Sequence, residues 1–257
     1  MMIKELTRIA QLGGDHALRR KSDTHEQTAK ADDNWNFATE VDGEAQGLMV
    51  AELHRSFPGI PILGEEQEKP VIPGPTYFVL DPIDGTIPYN AGFPNWGTIV
   101  SYMQDGQPHA GVIYMPEQTS LIVTAERGNG CYLNGQRVVP RPARPRSQAI
   151  ICVEIGPWTP DEAWPQLNRL RKIGRWLGGS GFAAASLVDL ITQRGDLYLN
   201  FRAKIWDFAA GAVAVQEIGG SVCNLNGEPL QWNQIDMTAL FAHDQSLANE
   251  VVALLAA

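Results

Sequence analysis

Two aspartates three positions apart, Asp81 and Asp84, close an apolar run and lead straight into a Gly-Thr pair, in the order Tyr77-Phe78-Val79-Leu80-Asp81-Pro82-Ile83-Asp84-Gly85-Thr86. A strand end holds the first acid rigidly, and the turn that follows brings the second back beside it. Carboxylates held this close repel one another unless a cation lies between them, and an oxygen-only ligand set suits Mg²⁺ rather than zinc. Gly85 and Thr86 stand at a predicted helix start, where free backbone N–H groups can receive a phosphate. Taken alone, the same residues also fit a plain turn, because Asp-Pro commonly opens turns and Asp-Gly commonly closes them.

Other acids occupy matching positions. Gly64-Glu65-Glu66 follows the apolar run Ile60-Pro61-Ile62-Leu63, so one of these glutamates can point where Asp81 points. In Ile205-Trp206-Asp207-Phe208-Ala209-Ala210-Gly211 an aspartate sits in the first turn of a small-residue helix, where capping alone is a sufficient reason for it. Thr39 precedes Asp42 by three positions, a spacing that also reads as a variant capping box.

The elements that must position these groups follow from periodicity. Apolar Met2, Leu6, Ile9 and Leu12 predict an amphipathic helix to about Arg20, and a second helix is predicted over Val41 to Ser56. Between them the polar stretch Lys21 to Asn36 has the length of a functional loop. From Thr76 short β-rich runs follow one another, separated by Asp105-Gly106 and Asn134-Gly135, which predicts an antiparallel meander. After the Arg141–Arg146 segment the pattern alternates: strand Ile150–Glu154, helices near Glu162–Lys172 and Ser180–Gln193, strand Asp196–Phe201, a helix from Asp207, strands near Ser221 and Thr238, and a last helix. That half reads as α/β.

At 257 residues with 44% hydrophobic content the chain can bury a large core without disulfides, and Cys131, Cys152 and Cys223 match neither a zinc site nor a disulfide framework. The expected setting is the cytoplasm, since no secretory h-region and no bilayer-length apolar run occur. A net charge of −9 disfavours nucleic acid and anionic membranes as partners, and a chain so negative needs metal ions to act on phosphates. Arg141–Arg146, broken by prolines, reads as a solvated connection. His16, His25, His54, His109 and His243 form no ligand-like pair, and a Ser-His-Asp hydrolase has no support.

Taken together and in this order, T-x-x-D, GEE, DPIDGT and WDxAAG resemble the inositol monophosphatase family of lithium-sensitive, Mg²⁺-dependent phosphatases, with likeness also in residues 111–138, at Gly179-Ser180-Gly181 and at Glu217-Ile218-Gly219-Gly220. The resemblance implies a layered α/β sandwich: an N-terminal α+β half over 1–145 and a C-terminal α/β half over 146–257, often as a homodimer. It implies two or three Mg²⁺ ions per site. Glu65, Asp81 and the Ile83 carbonyl would hold one, and Asp81, Asp84 and Asp207 a second. Asp42 and Thr86, with Glu65, would serve a metal-activated water, while Gly85 and Thr86 N–H groups hold the phosphate of a small-molecule monoester. Ser180, Asn200, Arg202 and Lys204 fall on the substrate side.

The chain departs from the family at Asn200, where inositol-specific members usually carry a glutamate, and at Ile87-Pro88 just after DPIDGT. With Arg202 and Lys204 nearby, the substrate choice stays open among inositol-1-phosphate-like or sugar phosphates, histidinol phosphate and 3′-nucleotide bisphosphates. A haloacid dehalogenase-type phosphatase, with Asp81 as covalent nucleophile, would need its second aspartate two rather than three positions on. A metal-binding scaffold that has lost turnover is the non-enzyme alternative.

Overall fold

The computed structural model describes residues 2–22, 27–29, 37–179 and 181–257. In chain order the elements are α1 (Met2–Arg20), β1 (Gln27–Ala29), β2 (Phe37–Thr39), α2 (Glu40–Ser56), β3 (Ile62–Gly64), β4 (Tyr77–Asp84), α3 (Thr86–Asn90), β5 (Gly97–Gln104), β6 (Gln107–Met115), β7 (Leu121–Glu126), β8 (Gly130–Leu133) and β9 (Gln136–Arg137). They continue with β10 (Ile150–Val153), α4 (Ala163–Leu170), β11 (Trp176–Gly178), α5 (Ala183–Ile191), β12 (Leu197–Lys204), α6 (Ile205–Glu217), β13 (Ser221–Cys223), β14 (Asp236–Ala242) and α7 (Gln245–Ala256). β11 was not expected from the sequence; three residues beside glycines carry too little periodicity to signal a strand. Most of the expected functional loop after α1 lies outside the described residues.

Strands β3 to β9 form one seven-stranded sheet in sequential order, an antiparallel meander except that β3 runs parallel to β4. The second sheet has the order β11-β10-β12-β14-β13 and is mixed. Strand alternation sorts the side chains of β4 between two layers. Phe78 and Leu80 pack with Leu6, Ile9, Met49 and Leu53 of α1 and α2, whereas Tyr77 and Val79 join the core around α5 and α6. On the far side of the second sheet, Leu167 and Leu170 of α4 and Val251 and Leu255 of α7 cover Ile151, Leu199 and Leu240. The result is five layers: α1/α2, sheet, α5/α6, sheet, α4/α7. No described helix is long and apolar enough to cross a membrane.

Helix α6 lies between the two sheets, and its sequence says why. Alanine, glycine and valine surround it, so it has no polar face to give to water. Close approach to β6 depends on Gly111, where an added Cβ would meet the Ala210 Cα at 2.5 Å. At the other end, the Glu217 carboxylate accepts the N–H groups of Gly128 (2.7 Å) and Gly130 (2.8 Å), tying the last turn of α6 to the β7–β8 hairpin.

The Arg141–Arg146 segment is exposed or half-exposed, as expected of a solvated connection, but it is pinned rather than loose. Arg141 and Arg144 both pair with Asp196, which also accepts the Ile150 N–H at 2.8 Å. Burial alone would raise the Asp196 pKa, but that N–H and the two guanidiniums hold it below the usual carboxylate value. The partner lies about fifty residues downstream, out of reach of any local pattern.

Two outcomes follow for stability. Gly111→Ala should destabilise the chain by about 1–3 kcal/mol through overpacking, while Gly47→Ala, on the exposed side of α2 with open space around it, should stabilise it by about 0.5–1 kcal/mol; denaturant midpoints check both. A depressed folded-state pKa contributes stability that is complete above the unfolded value of about 3.9 and is lost as pH falls through the folded value. Asp196→Asn should therefore cost stability at neutral pH, with the gap to the unaltered chain closing under acid titration below about pH 4.

Candidate active site

The site gathers where β3, β4 and α6 end or begin. Gly64 of β3 pairs with Leu80 and the Glu65 N–H donates to the Leu80 carbonyl (3.2 Å), so Glu65 lies alongside Asp81. Asp81 continues the alternation of Tyr77 and Val79 toward α6. Plain alternation would send Asp84, three positions on, to the opposite face. A bulge prevents this: Asp81 pairs with Ile99 but Asp84 with Gly97, so three steps on β4 match two on β5. The Thr98 hydroxyl fixes the bulge by donating to the Pro82 carbonyl at 2.8 Å, and the Ile83 N–H donates to Asp81 Oδ1 at 3.0 Å. Asp207, in the first turn of α6, accepts the Lys204 N–H at 2.7 Å, which leaves its carboxylate facing the same point.

Carboxylate oxygens of Asp81, Asp84 and Asp207 lie within 4.8 Å of one another. Each has its pKa pushed well up: Asp81 by burial and then by Glu65, Asp84 and Asp207; Asp84 by burial and then by Glu154; Asp207 by burial and then by Asp84 and Glu65. Asp84 also accepts the Ala184 N–H (2.6 Å), acting as a cap for α5, whose own N-cap residue Phe182 supplies none. Three convergent carboxylates with a fourth acid beside them, and no sulfur or nitrogen donor, fit a hard divalent cation.

Asp42 does two jobs. Its Oδ2 accepts the Thr39 N–H (2.8 Å) and hydroxyl (2.5 Å) at the start of α2, while Oδ1 accepts the Thr86 hydroxyl at 3.1 Å. The same hydroxyl lies 3.2 Å from the Ile83 carbonyl. Gly85 takes φ +92°, the left-handed conformation that turns the chain from β4 into α3. Pro88 is the third residue of α3, a position whose N–H has no partner within a helix, so the helix still forms, over five residues.

An open cleft with a cavity volume of about 150 Å³ lies over the cluster. It is lined by Glu65, Asp81, Ile83, Asp84, Gly85 and Thr86, and by Arg202, Lys204 and Asp207, which the sequence had singled out. Asp42 is buried behind Thr86. Asn200 does not line the cleft: it is 2% exposed, donates from Nδ2 to the Tyr198 hydroxyl (3.1 Å) and accepts the Arg202 N–H (2.8 Å). Ser180 lies outside the described residues.

Sequence reading missed Glu154, Trp158 and Phe182 on the walls. Glu154 is nearly buried, accepts a hydrogen bond from Tyr198, and has its pKa pushed by burial to about 8. Its signal was present, because an acid closing the apolar run Ile150–Val153 repeats the pattern that marked Asp81. Trp158 is held by a short turn in which Gly156 and Thr159 exchange hydrogen bonds of 2.9 Å, and its ring stands 6.4 Å from that of Phe182.

Known proteins share this fold. A solved IMPase from Thermotoga maritima superposes with a TM-score of 0.85 at 26% identity, covering 99% of this chain and 95% of that one. The suhB extragenic suppressor protein of Bartonella henselae gives 0.89 over 99% and 98%, and at 24% identity shows the shared fold. In sequence, a fructose-1,6-bisphosphatase/inositol-1-monophosphatase of Thermotoga maritima is 31% identical over 225 residues, 84% of each chain. The Nus factor SuhB of Xylella fastidiosa is 33% identical over 198 residues, 75% of this chain and 70% of that protein. Fold and site thus define a phosphoric monoester hydrolase of a metal-dependent class. The inositol monophosphatase family model matches residues 2–256, and the chain belongs to that family.

Raised carboxylate pKa values make the metal-free chain retain protons that the unfolded chain releases, so its stability should fall as pH rises above the ordinary carboxylate range. Thermal midpoints from pH 5 to 8 should show this slope without metal, a shallower slope for Asp84→Asn, and a recovery on adding Mg²⁺ that the variant lacks.

Proposed function

We propose that this chain hydrolyses a small-molecule phosphate monoester in a Mg²⁺-dependent reaction, with water as the nucleophile. The observation that carries this reading is the convergence of Asp81, Asp84 and Asp207 within 4.8 Å beside a hydroxyl–carboxylate pair, half-buried Thr86 and buried Asp42. Glu65, Asp81, Asp84, Asp207 and the Ile83 carbonyl are the residues that would hold two or three ions. Bound Mg²⁺ supplies a lowered water pKa and Lewis-acid stabilisation of the phosphoryl and leaving oxygens.

The protein's own share is orientation and proton handling. Thr86 Oγ1 donates to Asp42 Oδ1, which directs its lone pairs toward the cleft, where they can accept a proton from the attacking water as Asp42 takes the threonine proton. Asp42 is fixed for this by the Thr39 contacts on its other oxygen. Gly85 and Thr86 line the cleft where the transferred phosphate sits, and Glu154, Trp158, Phe182 and Arg202 surround the leaving group. Inositol-1-phosphate-like and sugar phosphates lead the substrate classes, with histidinol phosphate and 3′-nucleotide bisphosphates beside them. We further assign the chain to the cytoplasm, as a homodimer whose protomer divides at about residue 145; the free state of its three buried cysteines supports the compartment.

Phosphate release from a panel of these monoesters, with and without Mg²⁺, tests the reading. Asp84→Asn and Asp207→Asn should fold normally and lose more than the ~10–100-fold expected for an outer-sphere partner. Thr86→Ala should lose turnover that Thr86→Ser restores. Near-normal activity in either aspartate variant overturns the assignment.

A further inference from the structure

The two walls of the cleft differ in charge. The floor carries Glu65, Asp81, Asp84 and Asp207, which metal ions would neutralise, whereas the β12 wall presents Arg202 and Lys204. Cations are not needed there to bind the transferred phosphate if metal holds it, so their position on the leaving-group side calls for a separate reason.

Backbone geometry shows how Arg202 comes to stand there. On β12, Leu197, Leu199 and Phe201 enter the core against α4 and α7, while Tyr198 faces the α5/α6 core. Regular alternation would send Arg202 inward with Tyr198 and Asn200. Instead Asn200 pairs with Ala239 and Ala203 with Met237, three steps against two, so β12 carries an extra residue at this point and Ala203 takes the inward place. Arg202 is thereby exposed on the cleft wall.

Asn200 holds that bulge. Its Oδ1 accepts the Arg202 N–H at 2.8 Å, and its Nδ2 donates to the Tyr198 hydroxyl at 3.1 Å, which in turn donates to Glu154. A carboxylate in its place could accept from Arg202 but could not donate to Tyr198. Lys204 lies next along the same wall, its ammonium paired with the exposed Asp236 and its N–H given to Asp207. Around these cations the remaining walls are mostly apolar, Ile87, Trp158, Phe182 and Trp206, with Glu154 the one acid among them.

We propose that the cleft selects phosphate monoesters whose leaving group bears a second anionic group, bound by Arg202 with Lys204 behind it, and that Asn200 is the positioning residue that presents Arg202. This rests on the phosphatase reading above. A phosphate or a carboxylate would satisfy the same guanidinium in bidentate fashion.

The test uses the full chain with Mg²⁺ and two matched pairs: glycerol 1-phosphate against 3-phosphoglycerate, and fructose 1-phosphate against fructose 1,6-bisphosphate. The expected result is a kcat/KM ratio, anionic over neutral, of about tenfold or more in at least one pair, the pair showing whether carboxylate or phosphate is preferred. Arg202→Ala should reduce that ratio by about tenfold, mainly through KM, with Arg202→Lys intermediate. Asn200→Asp should move the ratio in the same direction while kcat on the anionic member changes little, a split that simple loss of folding would not produce. Ratios near one in the unaltered chain, or a ratio that Arg202→Ala leaves in place, overturn the proposal. Absence of phosphate release from all four compounds overturns this inference, and the underlying phosphatase reading falls with it only if the wider monoester panel above also releases none.

Discussion

Repulsion among buried and half-buried carboxylates is the constraint around which this molecule is organised. Asp81, Asp84 and Asp207 come from a strand, the end of its bulge and a helix start in the other half of the chain, and burial with mutual repulsion pushes each pKa up. Holding such groups together requires rigid supports. The central strand β4 lies between β3 and β5, α6 is packed between two sheets, and backbone N–H groups of Ile83, Ala184 and Lys204 fix the individual carboxylates. A cation turns the same arrangement from a local liability into a gain, which couples occupancy of the site to the integrity of three structural layers.

The layers serve that coupling in distinct ways. The α1/α2 layer delivers Asp42 from the outer face of the first sheet to Thr86 beside the cleft, by way of a helix cap. Helix α5 is capped by Asp84 instead of by its own residues, so its first turn depends on the ligand cluster. Helix α6 carries Asp207 at one end, and Glu217 anchors the other to a hairpin of the first sheet. Its small residues let both sheets approach, and a larger side chain at Gly111 would displace the aspartate along with the helix.

Much of this was legible because the local signals are short and covalently contiguous. Tyr77–Thr86 contains a strand, its turn and the start of a helix, which alone also fitted a plain turn; Glu65, Asp207, Asp42 and Thr86 in matching contexts tipped it toward a site, and short β-rich runs between turn signals revealed the meander. What escaped depended on contacts distant in sequence. Glu154 is an acid after an apolar run like the others, but no second motif stood beside it to raise its weight. Trp158 and Phe182 meet only because a turn after β10 and the residue before α5 converge over the cleft. Asn200 was placed on the substrate side by the resemblance, whereas the Tyr198 hydroxyl and the Arg202 N–H hold it inward. The prolines of 141–146 suggested a loose connection, and the buried partner that pins it, Asp196, becomes visible only once the second sheet is assembled.

Both walls of the cleft owe their chemistry to a one-residue slip between neighbouring strands, at Asp81–Asp84 in the first sheet and at Asn200–Ala203 in the second. Side-chain direction along a strand has parity, odd positions to one layer and even to the other, and each slip reverses that parity for everything beyond it. The two reversals lie in different sheets, yet both bear on one cluster, since the second comes a few residues before Asp207. Deleting one residue at the first would aim Asp84 away from its partners, while the same change at the second would turn Arg202 inward and shift Lys204, whose N–H holds Asp207. The architecture therefore ties the basic wall of the cleft to its acidic floor through the short step from Arg202 to Asp207, so a shift of register in the second sheet reaches both.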